Sequence, residues 1–215
     1  MKDIQNKRRE ILVFDFDGTI SNFKEIDSKI IFELFNNSSL VKFLDKILWW
    51  VNEKDIIRNS MLLLKLRILV YSFISATKFS YNLCEYKRRY FFYSCSSLRN
   101  VIDLLEEISK TTKVIVLSNN SFTRGIACRN LRVKYTSSKK KYIKELVKHR
   151  NIPYMIGNNL SDDILVAKLL KIKSIYIGRS FFVRIFGKPS YSFYNIEECL
   201  NFFKEGQGWK SWSFS

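Results

Sequence analysis

Apolar positions along this chain follow two rhythms. Around residues 11–14, 113–117, 153–157 and 174–178 they form short runs rich in Ile, Val, Leu, Phe and Tyr, bounded by polar residues or glycine. Such runs predict strands buried on both faces, as in the middle of a parallel sheet. Elsewhere apolar residues return every three or four positions. Val101, Leu104, Leu105 and Ile108 share one face of a helix that Ser97 would cap. Ile143, Leu146 and Val147 line a second helix, and Ile164, Ala167 and Leu170 a third. A short helix is expected over 125–132 and a marginal strand over 133–135. Strands alternating with helices at these intervals predict an α/β fold built on a parallel sheet.

Between about 30 and 93 the rhythm is helical throughout, and neither Gly nor Pro interrupts it. Three or four helices are therefore expected between the first strand and the rest of the sheet. The most apolar stretch, 61–74, is shorter than the ~20 residues a bilayer span needs and carries charges. It is expected as a helix buried within the insert, in preference to one lying on a membrane surface. Trp49 and Trp50 are expected in a core or at its rim. Residues 87–93 mix Lys and Arg with Tyr and Phe, which suits either nucleic-acid contacts or the solvated face of a packed helix. The end from 206, with Trp209 and Trp212, is expected to be loosely structured.

Composition changes this picture in two places. With 37 Lys and Arg against 20 Asp and Glu, the net charge is +17. That field attracts phosphorylated substrates, nucleic acid or an anionic membrane, or serves only to keep the chain soluble. Cys84, Cys95, Cys128 and Cys199 form no C-x-x-C pair and no metal spacing. With a polar start, Lys7-Arg8-Arg9-Glu10, in place of an apolar leader, reduced thiols and a cytoplasmic location are expected.

Candidate chemistry lies at the ends of the predicted strands. The first delivers Asp15 and Asp17 with Gly18 beside them, the second Ser118, Asn119 and Asn120, and the third Asn158 followed by Asp162 and Asp163. Open α/β sheets bind ligands at this edge. Two carboxylates held so close repel each other unless a cation or a chemical task keeps them there. The set suits phosphoryl transfer. Asp15 could attack phosphorus, and Asp17 could protonate the leaving oxygen and then activate water. Ser118, backbone amides and a lysine could hold the phosphoryl oxygens. Mg²⁺, which prefers oxygen ligands, would relieve the repulsion. Singly, Ser118 is an ordinary strand-end serine and Asp162 an ordinary helix-start acid. Thr123 and Arg124 read equally as phosphate contacts or loop, and the single histidine, His149, as an exposed helix end.

Asp15-Phe16-Asp17-Gly18-Thr19-Ile20 resembles the first motif, D-x-D-G-T, of the haloacid dehalogenase-like (HAD) hydrolases. The second motif of that superfamily fits Val114-Ile115-Val116-Leu117-Ser118-Asn119, and its lysine motif fits Lys139, Lys140 or Lys141. Its fourth, G-D-x-x-x-D, fits Gly157-Asn158-Asn159-Leu160-Ser161-Asp162, with Asn158 where the family carries its metal-binding aspartate. The resemblance covers residues 10–20 and about 97–180. It implies a Rossmann-like core over 1–21 and 96–205, a helical cap over 22–95, and a C-terminal tail over 206–215.

By this resemblance Asp15 is nucleophile and metal ligand and Asp17 the general acid and base. The phosphate would be held by Ser118, Asn119, Lys139 and Lys140, and Mg²⁺ by Asp15, Asp17, Asn158 and Asp162. The second aspartate favours the phosphatase branch over the ATPases of the superfamily. The expected activity is Mg²⁺-dependent hydrolysis of a phosphorylated small molecule through an aspartyl-phosphate. Two alternatives remain: a phosphotransferase of the same superfamily, and a phosphate-binding or regulatory module weakened at the metal by Asn158. The charge adds a possible association with anionic membrane or nucleic acid.

Overall fold

The computed structural model describes residues 10–21, 23–35, 38–52, 61–96, 99–128, 131–149 and 152–205. Its centre is β1 (Glu10–Asp15), whose Ile11, Leu12, Val13 and Phe14 are fully buried. Alternation along the strand sends them to opposite faces. Leu12 and Phe14 enter one apolar layer with Val101, Leu105, Leu200 and Phe203. Ile11 and Val13 enter the other with Ile143, Met155 and Ala167. This two-sided burial is why the strand reads as an unbroken apolar run.

Among the described residues the sheet has seven strands, in the order β3-β4-β2-β1-β5-β6-β7. These are β2 (Lys113–Ser118), β3 (Ala127–Cys128), β4 (Leu131–Tyr135), β5 (Ile152–Gly157), β6 (Ser174–Ile177) and β7 (Tyr191–Phe193). Every neighbouring pair is parallel except β3 with β4. Asp15 stands beside Leu117, and Phe14 beside Ile156, so the ends of β1, β2 and β5 lie together at one edge. The α/β, Rossmann-like sheet flanked by helices is thus as expected.

One segment departs from expectation. Among the described residues of 125–132 the predicted helix is absent, and β3 and β4 pair antiparallel in its place. A three-residue turn, Ser121–Thr123, closes at Arg124, and Gly125 beyond it redirects the chain with a φ of +86°. Ile126 and Val133 then reach the same apolar layer, linked by Val133 N–H donating to Ile126 O at 3.1 Å. Apolar residues here alternate as a strand demands, and β4 pairs parallel with β2. Residues 179–205, for which no elements were predicted, supply β7 and α8 (Ile196–Lys204). Asn195 caps α8 by accepting from Glu198 N–H at 2.8 Å.

Among the described residues four helices follow β1: α1 (Phe23–Leu34), α2 (Ser39–Asn52), α3 (Met61–Ile74) and α4 (Phe79–Ser96). Their shared interior comprises Ile26, Ile30, Phe35, Ile68, Tyr71, Tyr86 and Tyr90. Phe122, from the loop after β2, joins it with its ring 5.9 Å from that of Tyr86 and 6.5 Å from that of Tyr90. The interior also holds charge: Arg67 donates to fully buried Asp27 at 2.5 Å, and Tyr86 donates to the same oxygen. Chain then returns through α5 (Arg99–Ser109) to β2, and α6 (Lys139–Lys148) and α7 (Leu165–Leu169) cover the opposite face. Ser97, the tail with Trp209 and Trp212, and the side chains of Trp49 and Trp50 lie outside the described residues.

Candidate active site

The end of β1 is a tight turn closed by backbone hydrogen bonds. Ile20 and Ser21 N–H both donate to Phe16 O, and Gly18 N–H donates to Ser21 O at 2.8 Å. Gly18 has φ +82°, and a Cβ there would stand 2.4 Å from Asn158 Nδ2. Only glycine allows both the turn and the approach of Asn158, whose amide donates to Gly18 O at 2.8 Å.

Three further strand and helix ends meet this turn. Ser118, at the end of β2, donates to Asp17 Oδ2 at 2.5 Å and accepts from Asn120 N–H at 2.9 Å. The Asn120 amide reaches Asp17 Oδ1 at 3.4 Å, while its own oxygen caps the next turn through Phe122 N–H. Lys139 opens α6, which Ser138 caps, and its buried side chain runs back into the sheet edge. There the ammonium donates to Asp15 Oδ1 at 2.6 Å and to Asp163 Oδ1 at 2.7 Å.

Asp163 is held from behind by Asn159 N–H at 3.0 Å. Gly157 makes room for it, since a Cβ at that position would stand 2.1 Å from Asp163 Oδ2. From the helical insert, Tyr90 donates its hydroxyl proton to Asp17 Oδ1. Thr19 completes the set, donating to Asp15 Oδ2 at 3.3 Å.

Asp15, Asp17 and Asp163 are three buried carboxylates, and among the described residues one ammonium, that of Lys139, bridges two of them. Burial pushes the Asp15 carboxyl up to about 8, against the pull of Lys139 and with help from Asp163 and Asp17. Burial also raises Asp17, although Ser118 and Tyr90 hydrogen bonds favour its charged form. For Lys139 the two aspartates outweigh burial and hold it firmly protonated. Ionising all three carboxylates would leave two uncompensated buried charges, which burial resists and a divalent cation would offset.

Of the residues singled out from sequence, Asp15, Asp17, Ser118 and Lys139 converge, with Asn158 against the Gly18 turn. Asn119 and Asp162 meet each other at 3.4 Å, beside this cluster. Lys140 is exposed on α6. Among the described residues no three His, Cys, Asp or Glu side chains gather as a metal cluster. The structure adds Thr19, Tyr90 and Asn120 to the site, and of the two aspartates that follow Asn158 it is Asp163 that meets Lys139. Asn120 and Thr19 adjoin the motifs, and Asp163 follows Asn159 by four, one helical turn. Tyr90 carried no local signal beyond its spacing of four from Tyr86. A cleft of about 760 Å³ opens next to the turn, lined by Gly18, Thr19, Asn158, Tyr176, Arg179 and Tyr194 among others.

No family model and no curated protein matches the chain. Solved structures do. The HAD-hydrolase assigned as YfnB from Bacillus subtilis, described with bound magnesium, superposes with TM-score 0.63 at 15% identity, over 93% of this chain and 100% of that one. A protein assigned as a phosphatase from Clostridium difficile gives 0.56 at 20% identity, over 91% and 98%. CbbY from Rhodobacter sphaeroides, in complex with phosphate, gives 0.52 at 14% identity, over 88% and 96%. By these likenesses, the chain has the fold of the haloacid dehalogenase-like hydrolases.

Proposed function

We propose that the protein is a Mg²⁺-dependent phosphomonoester hydrolase that works through an aspartyl-phosphate on Asp15. One observation carries this reading: Asp15 ends the central strand against Lys139, while Asp17, two residues on, has its own separate donors in Ser118, Asn120 and Tyr90. Two carboxylates with different partners can take different tasks. An Asp15 oxygen attacks phosphorus in line with the leaving oxygen, and the P–O ester bond breaks as the Asp15–phosphorus bond forms. Asp17 gives its proton to the leaving alkoxide. It then takes a proton from water, which attacks the aspartyl-phosphate and releases inorganic phosphate. Lys139 and Ser118, with Asn119 at the rim, offer donors to the phosphoryl oxygens.

The donor set fits Mg²⁺: its ligands are hard oxygens, and the buried carboxylates outnumber the ammonium beside them, so a divalent cation would let them ionise together. Asp15 and Asn158 would hold the ion. Asp17, bonded to Ser118 and Tyr90, and Asp162, bonded to Asn119, would be the further donors. When bound, the ion would neutralise charge on the phosphoryl group and favour ionised Asp15. The four helices over 22–95 are read as a cap on the core formed by 1–21 and 96–205. A phosphorylated small molecule suits the basic chain and the cleft beside Asn158.

Hydrolysis of 4-nitrophenyl phosphate with Mg²⁺ tests the reading. Wild type should turn over, and Asp15→Asn should lose at least about a thousandfold, ~4 kcal/mol of barrier. Retained turnover in Asp15→Asn would remove the mechanism. A second reading rests on Asn158, which brings an uncharged amide to the metal side: a phosphate-binding module without turnover. Phosphate binding with no Mg²⁺-dependent hydrolysis would favour it. Product analysis with an added alcohol separates hydrolase from phosphotransferase.

A further inference from the structure

Helix α3 is apolar on two opposite faces. Ile68 and Tyr71 point inward and are 0% and 4% exposed, packed in the interior of the insert. On the other side Leu66, Leu69, Val70 and Phe73 are 51%, 47%, 43% and 88% exposed, spaced i, i+3, i+4, i+7 as one stripe. A surface helix ordinarily turns polar residues to water on that face, and a contiguous apolar stripe marks an interaction site. Neighbouring α2 repeats the pattern with Leu40, Phe43 and Ile47, each more than two-fifths exposed.

Charge distinguishes the possible occupants. α3 contains no Asp or Glu, and its Arg67 is turned inward to Asp27 at 2.5 Å. The single carboxylate of α2, Asp45, is buried and accepts from Tyr71 OH at 3.2 Å. The charges these helices leave exposed are Lys46 and Lys65, with half-buried Lys42 over the Phe32 ring and Lys78 just beyond Phe73. A second copy would bring the same lysines, and a net +17, against its own kind. An anionic bilayer offers an apolar interior and the opposite surface charge. Among the described residues no helix is long and apolar enough to cross a membrane, so contact would be with the surface. We propose that the outer face of α3 seats the protein on an anionic lipid surface, with Leu66, Leu69, Val70 and Phe73 entering the headgroup boundary and the lysines around them meeting lipid phosphates.

This proposal is independent of the reaction proposed above. It is tested by co-sedimentation of the full chain with vesicles of phosphatidylcholine alone or with a third of phosphatidylglycerol, across a salt series. Binding is expected to the anionic vesicles only, weakening with salt as surface charges are screened. Leu69→Ser/Phe73→Ser should bind roughly tenfold more weakly or worse, since two apolar anchors are lost. Its thermal unfolding should stay close to wild type, because both side chains face solvent. Lys46→Glu/Lys65→Glu/Lys78→Glu should also lose anionic selectivity. Three results would overturn the proposal. The first is no binding to anionic vesicles, and the second is undiminished binding of the serine variant. The third is a dimer in sedimentation velocity that the serine variant splits, which would make a second copy the occupant.

Discussion

Lys139→Met removes the one cation from a buried cluster of carboxylates and keeps most of the side chain's bulk. In the wild type the ammonium is 2.6 Å from Asp15 and 2.7 Å from Asp163, with all three side chains 5% exposed or less. Taking one partner from a buried ion pair typically costs ~3–5 kcal/mol, because the charge left behind has neither water nor a counter-charge. Against a total stability of about 5–15 kcal/mol, that is a large share. The cost also depends on pH. A carboxyl without its cation resists ionisation still more, so protonation relieves the penalty and the deficit shrinks as pH falls. Urea unfolding of wild type and variant at about pH 5 and pH 8, without divalent cation, reads both effects. The expected deficit is several kcal/mol at the higher pH and smaller at the lower. Asp163→Asn in the Lys139→Met background should recover part of it, since one uncompensated charge then disappears. A Lys139→Met protein within ~1 kcal/mol of wild type at both pH values would refute the buried-cluster account.

Three other outcomes follow from the same geometry. Asp15 has a raised carboxyl, so its contribution to stability is full below the ordinary Asp range and is lost as pH rises from about 4 through about 8. In the absence of metal, melting temperature should fall over that window and Asp15→Asn should flatten the fall; parallel curves would contradict the assignment. Tyr90→Phe deletes one hydrogen bond to Asp17, worth ~1.5–3 kcal/mol to a charged acceptor. If it positions the general acid, kcat/KM should drop more for an alkyl phosphate than for 4-nitrophenyl phosphate, whose leaving group needs no proton. Equal losses on both substrates would point to a structural role alone. Gly157→Ala places a methyl 2.1 Å from the Asp163 carboxylate and should cost at least ~1–3 kcal/mol in urea unfolding, whereas an unchanged midpoint would mean that Asp163 sits elsewhere.

Legibility from sequence tracked how local each physical cause was. Burial on both faces leaves an unbroken apolar run, so β1, β2, β5 and β6 could be read directly. The motif residues at their ends are likewise placed by the strand that carries them. β3 and β4 were harder, because the helix expected over 125–132 competed with a short alternation that only Ile126 and Val133 reveal. α8 had a local signal, an Asn195 cap with Glu198 three residues on, and Ile196, Cys199, Leu200 and Phe203 on one buried face. Asp163 and Tyr90 depended on tertiary placement. A single-residue choice between Asp162 and Asp163 turns on how the π-helical turn Leu160–Ile164 winds after Asn159. Tyr90 meets Asp17 across 73 residues of sequence, a contact no local pattern encodes. The exposed outer face of α3 was the converse case: its apolar residues imply burial, and among the described residues a cover is supplied on one side only.

The central claim is that Asp15 carries phosphate during turnover. Acid quenching of the enzyme with Mg²⁺ and a radiolabelled phosphomonoester, followed by peptide mapping, measures this directly. Acid-stable, hydroxylamine-labile label on the peptide containing Asp15, absent from Asp15→Asn, is the predicted result. Steady turnover in an Asp15→Asn protein, or label confined to another residue, would contradict it.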